Sequence, residues 1–396
     1  MTTTTFSIPY GKQNITQDDI NAVVETLQAD FLTQGPKIDE FEYKFANYVG
    51  SKYAVAVSNG TAALHLCALA LNVNEKSKVI TTPITFAASA NCIKYCGGEV
   101  VFVDIDPKTS LIDLDKLEEL LKSNPQGTFD GIIPVDFMGL PVDLEKVRKL
   151  ADKYGLWIIE DACHAPGGYF IDSQNKKQNC GSGNYADLAI FSFHPVKHIA
   201  SGEGGMITTN DKDLYDKLIK LRTHGITKNP DLLQENHGGW YYEMQDLGYN
   251  YRIPDILAAL GISQLSRADE MMQKRQEIAE RYDDAFKNTK VCFFQYPKNG
   301  DIEGKNKIFH AYHLYVIQVE NRKELYDFLR ENNIFAQVHY IPVHTMPYYK
   351  SLGYKNGDFP NSEEYYQSCL SIPIYPTLTE EEQNFVIEKI LEFVSK

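Results

Sequence analysis

The sequence predicts an α/β protein with a mostly parallel central sheet flanked by helices, followed by a smaller α+β portion at the C-terminal side. Two observations predict it. Short apolar strands alternate with helical stretches from residue 53 to 222, and beyond 254 the pattern becomes a long helical segment with scattered strands. Alternation of the first kind implies parallel strands joined by crossover helices on both faces. The 396 residues suit two or three domains, divided here as 1–255, a large α/β domain with an N-terminal arm, and 256–396, a small α+β domain.

In order, Thr16 is a helix N-cap with Asp19 three residues on, and Ile20, Val23, Val24 and Leu27 follow at helical spacing. Strands are then read at 53–57, 78–82, 99–105, 131–137, 156–161, 187–193 and 204–209. Helices are read at 61–71, 86–96, 144–155 and 212–222. The stretch 223–254, rich in Gly, Asn, Tyr and Trp, reads as long loops, and loops of such length are usually functional. A long helix over 256–286 follows, then strands in VCFFQYP (291–297) and HLYVIQV (313–319), and a closing helix in EEEQNFVIEKILEFVSK (380–396).

Composition narrows the function. With 43% hydrophobic and 23% charged residues the chain is an ordinary globular one. Thirty-nine Lys and Arg against 53 Asp and Glu leave a net charge of −14, which disfavours nucleic acid and anionic membranes as partners. Seven scattered cysteines suit a reducing cytosol rather than a disulfide scaffold. The start MTTTTFSIPYGKQ lacks a signal-peptide pattern, and no apolar run approaches the ~18 residues of a membrane span, so a cytoplasmic protein is expected.

Several chemistries fail on inspection. GSGNYA (181–186) fits G-x-G-x-x-A but follows a polar run rather than a strand, and no P-loop is present. Cys92 with Cys96, His194 with His198 and His310 with His313 lack the spacing of a metal motif, so no metal is expected.

Three strand ends carry more. Ser58-Asn59-Gly60-Thr61-Ala62 lies between a strand and a helix, where free N–H groups bind phosphate, although an ordinary turn with Thr61 as N-cap reads equally well. Glu160 and Asp161 close the strand LWIIED at the edge where open α/β sheets bind ligands. Ser192 to Lys197 then deliver a lysine beside Gly202-Glu203-Gly204-Gly205, and desolvation there would lower its pKa and suit it for Schiff-base chemistry. Singly, Lys197 reads also as a surface lysine and Asp161 as a helix cap. Together they supply a phosphate cup, a carboxylate for a protonated ring nitrogen and an imine-forming amine, the three parts pyridoxal phosphate requires, with Phe86 as an apolar face for its ring.

The ordered series SNGTAAL (58–64), TTPITF (81–86), IEDACHAPGG (159–168), FSFHPVKHIASGEGG (191–205), RTHG (222–225), LGYNYRIPDILAALGISQL (247–265) and AQVHYIPVH (336–344) resembles the DegT/StrS-type sugar aminotransferases over nearly the whole chain. The resemblance implies a fold-type I pyridoxal 5'-phosphate enzyme acting on nucleotide-linked keto sugars. It implies that Lys197 forms the Schiff base with the cofactor and shuttles a proton, that Asp161 holds the pyridine nitrogen, and that His164 lies beside the ring. Gly60, Thr61, Ala62 and Ser192 would hold the phosphate, and Phe86 would stack on the ring. Asn250 would reach the phosphate of a neighbouring subunit's cofactor, which implies a homodimer with shared active sites.

Within the family, YGKQNI (10–15), FLTQGP (31–36), PVDFMG (134–139), AQVHYIPVH and SIPIYP (371–376) look most like the pseudaminic-acid branch. That likeness implies C4 amination of UDP-4-keto-6-deoxy-N-acetyl-L-altrosamine with L-glutamate as donor. Tyr10, Asp30, Phe31, Leu32, Thr33, Gln337, Val338, His339 and Tyr340 would line the sugar-nucleotide site. The chain departs from the pattern at Cys163, where small or hydroxyl residues are usual, and at FMG. Three rivals stand beside this reading: an aminotransferase for another UDP- or dTDP-keto sugar, a sugar 3-dehydratase, which has His where Lys197 stands, and a non-catalytic binding protein on the same fold.

Overall fold

The computed structural model describes residues 6–294 and 308–395. Seven strands make the central sheet: β1 (Tyr53–Val57), β2 (Lys78–Thr81), β3 (Glu99–Phe102), β4 (Gly131–Ile132), β5 (Trp157–Asp161), β6 (Leu188–Ser192) and β7 (Gly205–Thr209). They lie in the order β1-β7-β6-β5-β4-β2-β3. Every neighbouring pair is parallel except those of β7, which runs antiparallel to both β6 and β1. The reason lies in the connection: residues 193–204 form turns rather than a crossover helix, and without a crossover the chain can only return antiparallel. Lys197 stands on that connection.

Apolar side chains fill both faces of the sheet. Val55, Val57, Ile159 and Ile190 pack on one face and Ala54, Ala56 and Phe191 on the other, as expected of strands covered twice. The helices include α1 (Gln17–Gln28), α2 (Pro36–Val49), α3 (Gly60–Ala70) and α4 (Ala88–Tyr95). Gly50, at φ +83°, ends α2 in the left-handed conformation that glycine adopts without a Cβ clash.

The capping box of α1 forms as its sequence predicts, the Thr16 N–H donating to Asp19 at 2.8 Å. Its apolar face is another matter. Ile20, Val24 and Leu27 are 43–54% exposed, while Asp19 and Thr26 are buried. Asp19 fixes this orientation, because its carboxylate accepts from Arg267 at 2.5 Å and from Gln264 at 2.8 Å. A paired buried carboxylate holds its side of the helix inward.

The long segment expected over 256–286 is two helices, Asp255–Leu265 and Ala268–Phe286, broken at Ser266-Arg267. The first packs closely on α2: a Cβ on Gly261 would stand 2.6 Å from the Phe41 ring. Beyond it, Cys292–Phe293, Tyr315–Gln318 and Cys369–Ile372 form an antiparallel three-stranded sheet. Residues 295–297 of the expected strand at 291–297 lie outside the described residues. The strand Ile8–Pro9 pairs in parallel with Ile334–Phe335, and Ile8 is buried in the core formed with the C-terminal residues.

Candidate active site

The carboxyl ends of β1, β5 and β6 open into a cavity of about 690 Å³. At one wall α3 begins. Asn59 caps it, its Oδ1 accepting from the Ala62 N–H at 2.8 Å and its carbonyl from Ala63 at 3.1 Å. Asn59 thus does what the sequence assigned to Thr61, and the N–H groups that the cap leaves over are those of Gly60 and Thr61, both lining the cavity. Space is tight: a Cβ on Gly60 would stand 3.1 Å from Ser192 Cβ and 3.5 Å from Cys163 Sγ.

At the end of β5, Asp161 is 5% exposed. Its Oδ2 accepts from Ser89 Oγ at 2.6 Å and its Oδ1 from the Cys163 N–H at 3.2 Å. Thr85 in turn hydrogen-bonds Ser89 at 2.8 Å. Both donors to the carboxylate are neutral, so a buried negative charge faces the cavity with room for a cationic N–H. Phe86, 61% exposed although aromatic, forms part of the rim.

Lys197 enters from the turn after β6, where its N–H donates to the His194 carbonyl at 2.8 Å. Its Nζ lies 3.4 Å from His313 Nε2. Burial pushes the ammonium below its ordinary pKa, and the negative potential of Cys163 and Asp161 opposes that shift only in part. His164, the other predicted neighbour, is 5% exposed and hydrogen-bonds Tyr340 Oη through Nε2 at 3.2 Å. Burial, with Lys197 nearby, holds His164 and His313 far below the usual histidine range and therefore neutral.

Beneath the site, on the side of β5 away from Asp161, Asp136 and Glu160 are buried against each other and against Cys180. The Gly181 N–H donates to both Glu160 oxygens at 3.0 Å, and Val142 N–H to Asp136 Oδ1 at 2.9 Å. Desolvation raises Asp136 to about 7 and Glu160 well above its usual range. Burial of two carboxyls this close favours their protonated forms.

Of the predicted residues, the cavity gathers Tyr10, Gly60, Thr61, Ala62, Phe86, Asp161, His164, Ser192, Lys197, His339 and Tyr340. Others stand apart from it. Phe31 lines a second pocket of about 490 Å³ with Gly35, Arg222 and Arg252, and Asp30, Leu32 and Thr33 are exposed on the same loop. Gln337 exchanges two backbone hydrogen bonds with Ser371, at 2.7 and 3.0 Å, and Val338 packs into the cores. Asn250 is exposed, although its neighbour Tyr251 lines the cavity and is bonded to His65 Nδ1 at 3.1 Å. His65, Ser89 and His313 were missed as site residues, because each owes its place to a partner distant in sequence.

A model of the DegT/DnrJ/EryC1/StrS aminotransferase family matches residues 13–391. The chain belongs to that family. It is 39% identical to the spore coat polysaccharide biosynthesis protein SpsC of Bacillus subtilis, over 98% of this chain and 97% of that one. It is 38% identical to a UDP-4-amino-4,6-dideoxy-N-acetyl-β-L-altrosamine transaminase of Campylobacter jejuni, over 98% of each. Among solved structures, the PLP-form of a putative sugar aminotransferase of Streptococcus pneumoniae superposes with a TM-score of 0.88 at 27% identity, over 98% of this chain and 99% of that one.

As a DegT/DnrJ/EryC1/StrS aminotransferase, the chain is a pyridoxal-phosphate-dependent enzyme. Its residues fit that cofactor. Free N–H groups at a helix N-terminus suit the phosphate, a buried carboxylate with only neutral donors suits the protonated ring nitrogen, and a desolvated lysine suits the aldehyde.

Proposed function

We propose that this sugar aminotransferase aminates C4 of UDP-4-keto-6-deoxy-N-acetyl-L-altrosamine, with L-glutamate as donor, in pseudaminic acid biosynthesis. Membership of the family makes nucleotide-linked sugars the substrate class. The finer reading is supported by the 38% identity to the Campylobacter transaminase over 98% of this chain.

Pyridoxal phosphate, when bound, supplies an electrophilic carbon for the incoming amine and an electron-withdrawing ring for the charge that develops beside it. The chain's residues suit these parts. The N–H groups of Gly60 and Thr61, with Ser192, would hold the phosphate. Asp161 would keep the ring nitrogen protonated, with Ser89 and the Cys163 N–H fixing the carboxylate's direction. Phe86 would offer an apolar face to the ring. Lys197 Nζ, its ammonium destabilised by burial, is the amine that attaches the cofactor and then takes and returns a proton in each half-reaction.

Tyr10, His339 and Tyr340 form the wall nearest the sugar, the Tyr10 and His339 rings 5.1 Å apart. Phe31 with the 30–33 loop, and Gln337 with Val338, would reach the nucleotide only together with a second subunit. We therefore read the enzyme as a cytoplasmic homodimer in which Asn250 enters the partner's site, and keep residues 1–255 and 256–396 as its two domains. Among the described residues no helix is long and apolar enough to cross a membrane.

The test is an assay of the pure enzyme with L-glutamate against UDP-, dTDP- and GDP-linked 4-keto sugars, product read by mass spectrometry. Amination of the UDP-linked 4-keto-N-acetyl sugar at the highest kcat/KM supports the reading, and a preference for a dTDP or GDP sugar overturns it.

A further inference from the structure

His313 is brought to Lys197 from the other end of the chain, 116 residues away. It comes on a short segment that is anchored more heavily than a connection between two strands needs. The Ala311 N–H donates to the Gly139 carbonyl at 2.7 Å, and the Leu314 N–H to the Met138 carbonyl at 3.2 Å. The ring of His198, one residue after Lys197, donates from Nε2 to the Ala311 carbonyl at 2.8 Å. Arg275, 1% exposed, spends its Nη1 on the carbonyls of Tyr312, His313 and Ile374 at 3.0–3.3 Å. Between these anchors Tyr312 sits at φ +46°, a left-handed conformation that a tyrosine holds only when its surroundings impose it.

What this anchoring achieves is the placement of one side chain. The His313 ring is 4% exposed, lies against the His164 ring at 4.3 Å between centroids, and has a buried Nδ1 with no hydrogen-bond partner among the described residues. Leaving a buried nitrogen unpaired is unfavourable, so packing alone would place an apolar residue here. The nitrogen that is used, Nε2, points at Lys197 Nζ.

We propose that His313 is a positioning residue for Lys197: its Nε2 receives the amine whenever the amine is free of the cofactor and keeps it aimed at the substrate carbon. The proposal rests on the assignment of Lys197 as the cofactor-bearing lysine. The chemistry suits the task. A neutral imidazole takes a hydrogen bond from the amine without placing a second positive charge in the site, and leaves the amine lone pair free to accept a proton. The other groups around Nζ are committed elsewhere or are acids: Asp161 ends β5 and Cys163 follows it, His164 Nε2 is bonded to Tyr340, His339 Nδ1 to Ser371, the charge of Arg275 is committed to carbonyls, and His198 is spent on Ala311.

The test compares His313→Phe, which keeps the ring and removes Nε2, with His313→Gln, which restores a polar atom at similar reach. In the holoenzyme, the Phe variant should lose about tenfold or more in kcat with KM for the sugar nucleotide little changed, and the Gln variant should recover most of it. A second readout is independent of turnover. After the cofactor is stripped and pyridoxal phosphate is added back, the absorbance change that marks its attachment to Lys197 should develop several-fold more slowly in the Phe variant. Should the Phe variant be insoluble, His313→Leu serves in the same comparison. Unchanged kcat and unchanged attachment rate, or an equal loss in the Gln and Phe variants alongside equal loss of thermal stability, would overturn the proposal. A Lys197→Ala control that still attached the cofactor would instead overturn the lysine assignment beneath it.

Discussion

Asp161 and Asp136 are neighbours, the Asp136 N–H donating to the Asp161 carbonyl at 3.0 Å, and do opposite things with a buried carboxyl. Asp161 accepts hydrogen bonds from neutral donors and faces the cavity. Changing it to Asn keeps the shape and removes the charge, so bound cofactor should persist while turnover falls by on the order of 10² or more, read from single-turnover absorbance. Asp136, buried beside Glu160, instead favours its protonated form. A carboxyl raised by folding from 3.8 to about 7 gives stability that is fully present below the lower value and is lost as pH rises through the upper one. Asp136→Asn mimics the protonated form. Its Tm relative to the parent should therefore be near parity at about pH 4, rise between about pH 4 and 7 and level off above that, and a difference independent of pH would contradict the raised carboxyl. Sequence alone located Lys197, Asp161, Ser192 and the α3 start, because strand ends in an open α/β sheet converge on one edge. It could not locate His313 or Ser89, whose contacts depend on how distant segments fold together, and of its two readings of the α3 start the one with Thr61 as N-cap is corrected by Asn59, which caps the helix.

Elements were legible where their cause is local. The capping box at Thr16 follows from nearby residues, whereas the strands read at 99–105 and 131–137 already end at Phe102 and Ile132. The direction of β7 and the orientation of α1 were not legible either. Helical spacing says that Ile20, Val24 and Leu27 share a face, but not which way the face points; the Asp19–Arg267 pair decides that. Phe31 and Leu32 are likewise 54% and 47% exposed, and in the proposed homodimer a second copy of the chain would cover these residues. Leu27→Glu should leave the circular dichroism spectrum intact and shift sedimentation from dimer toward monomer. A variant that sediments with the parent would remove α1 from the interface.

For the whole molecule, the cavity is built by segments from both ends of the chain: α3, β5 and β6 from one part, His339 and Tyr340 from another, and Tyr10 from the N-terminal arm that pairs with Ile334–Phe335. Asn250, exposed beside a loop bolted to Ser58 through the Tyr251 carbonyl at 2.8 Å, is the contribution assigned to the partner. Mixed dimers of Lys197→Ala and Asn250→Asp chains should regain one working site in two while each homodimer stays inactive; verified mixed dimers without activity would place Asn250 in its own subunit's site or in neither. The account depends most on Lys197. Borohydride reduction of the holoenzyme, digestion and peptide mass mapping should find the phosphopyridoxyl group on Lys197 alone, with none on any peptide of the Lys197→Ala variant; the label on another lysine would contradict it.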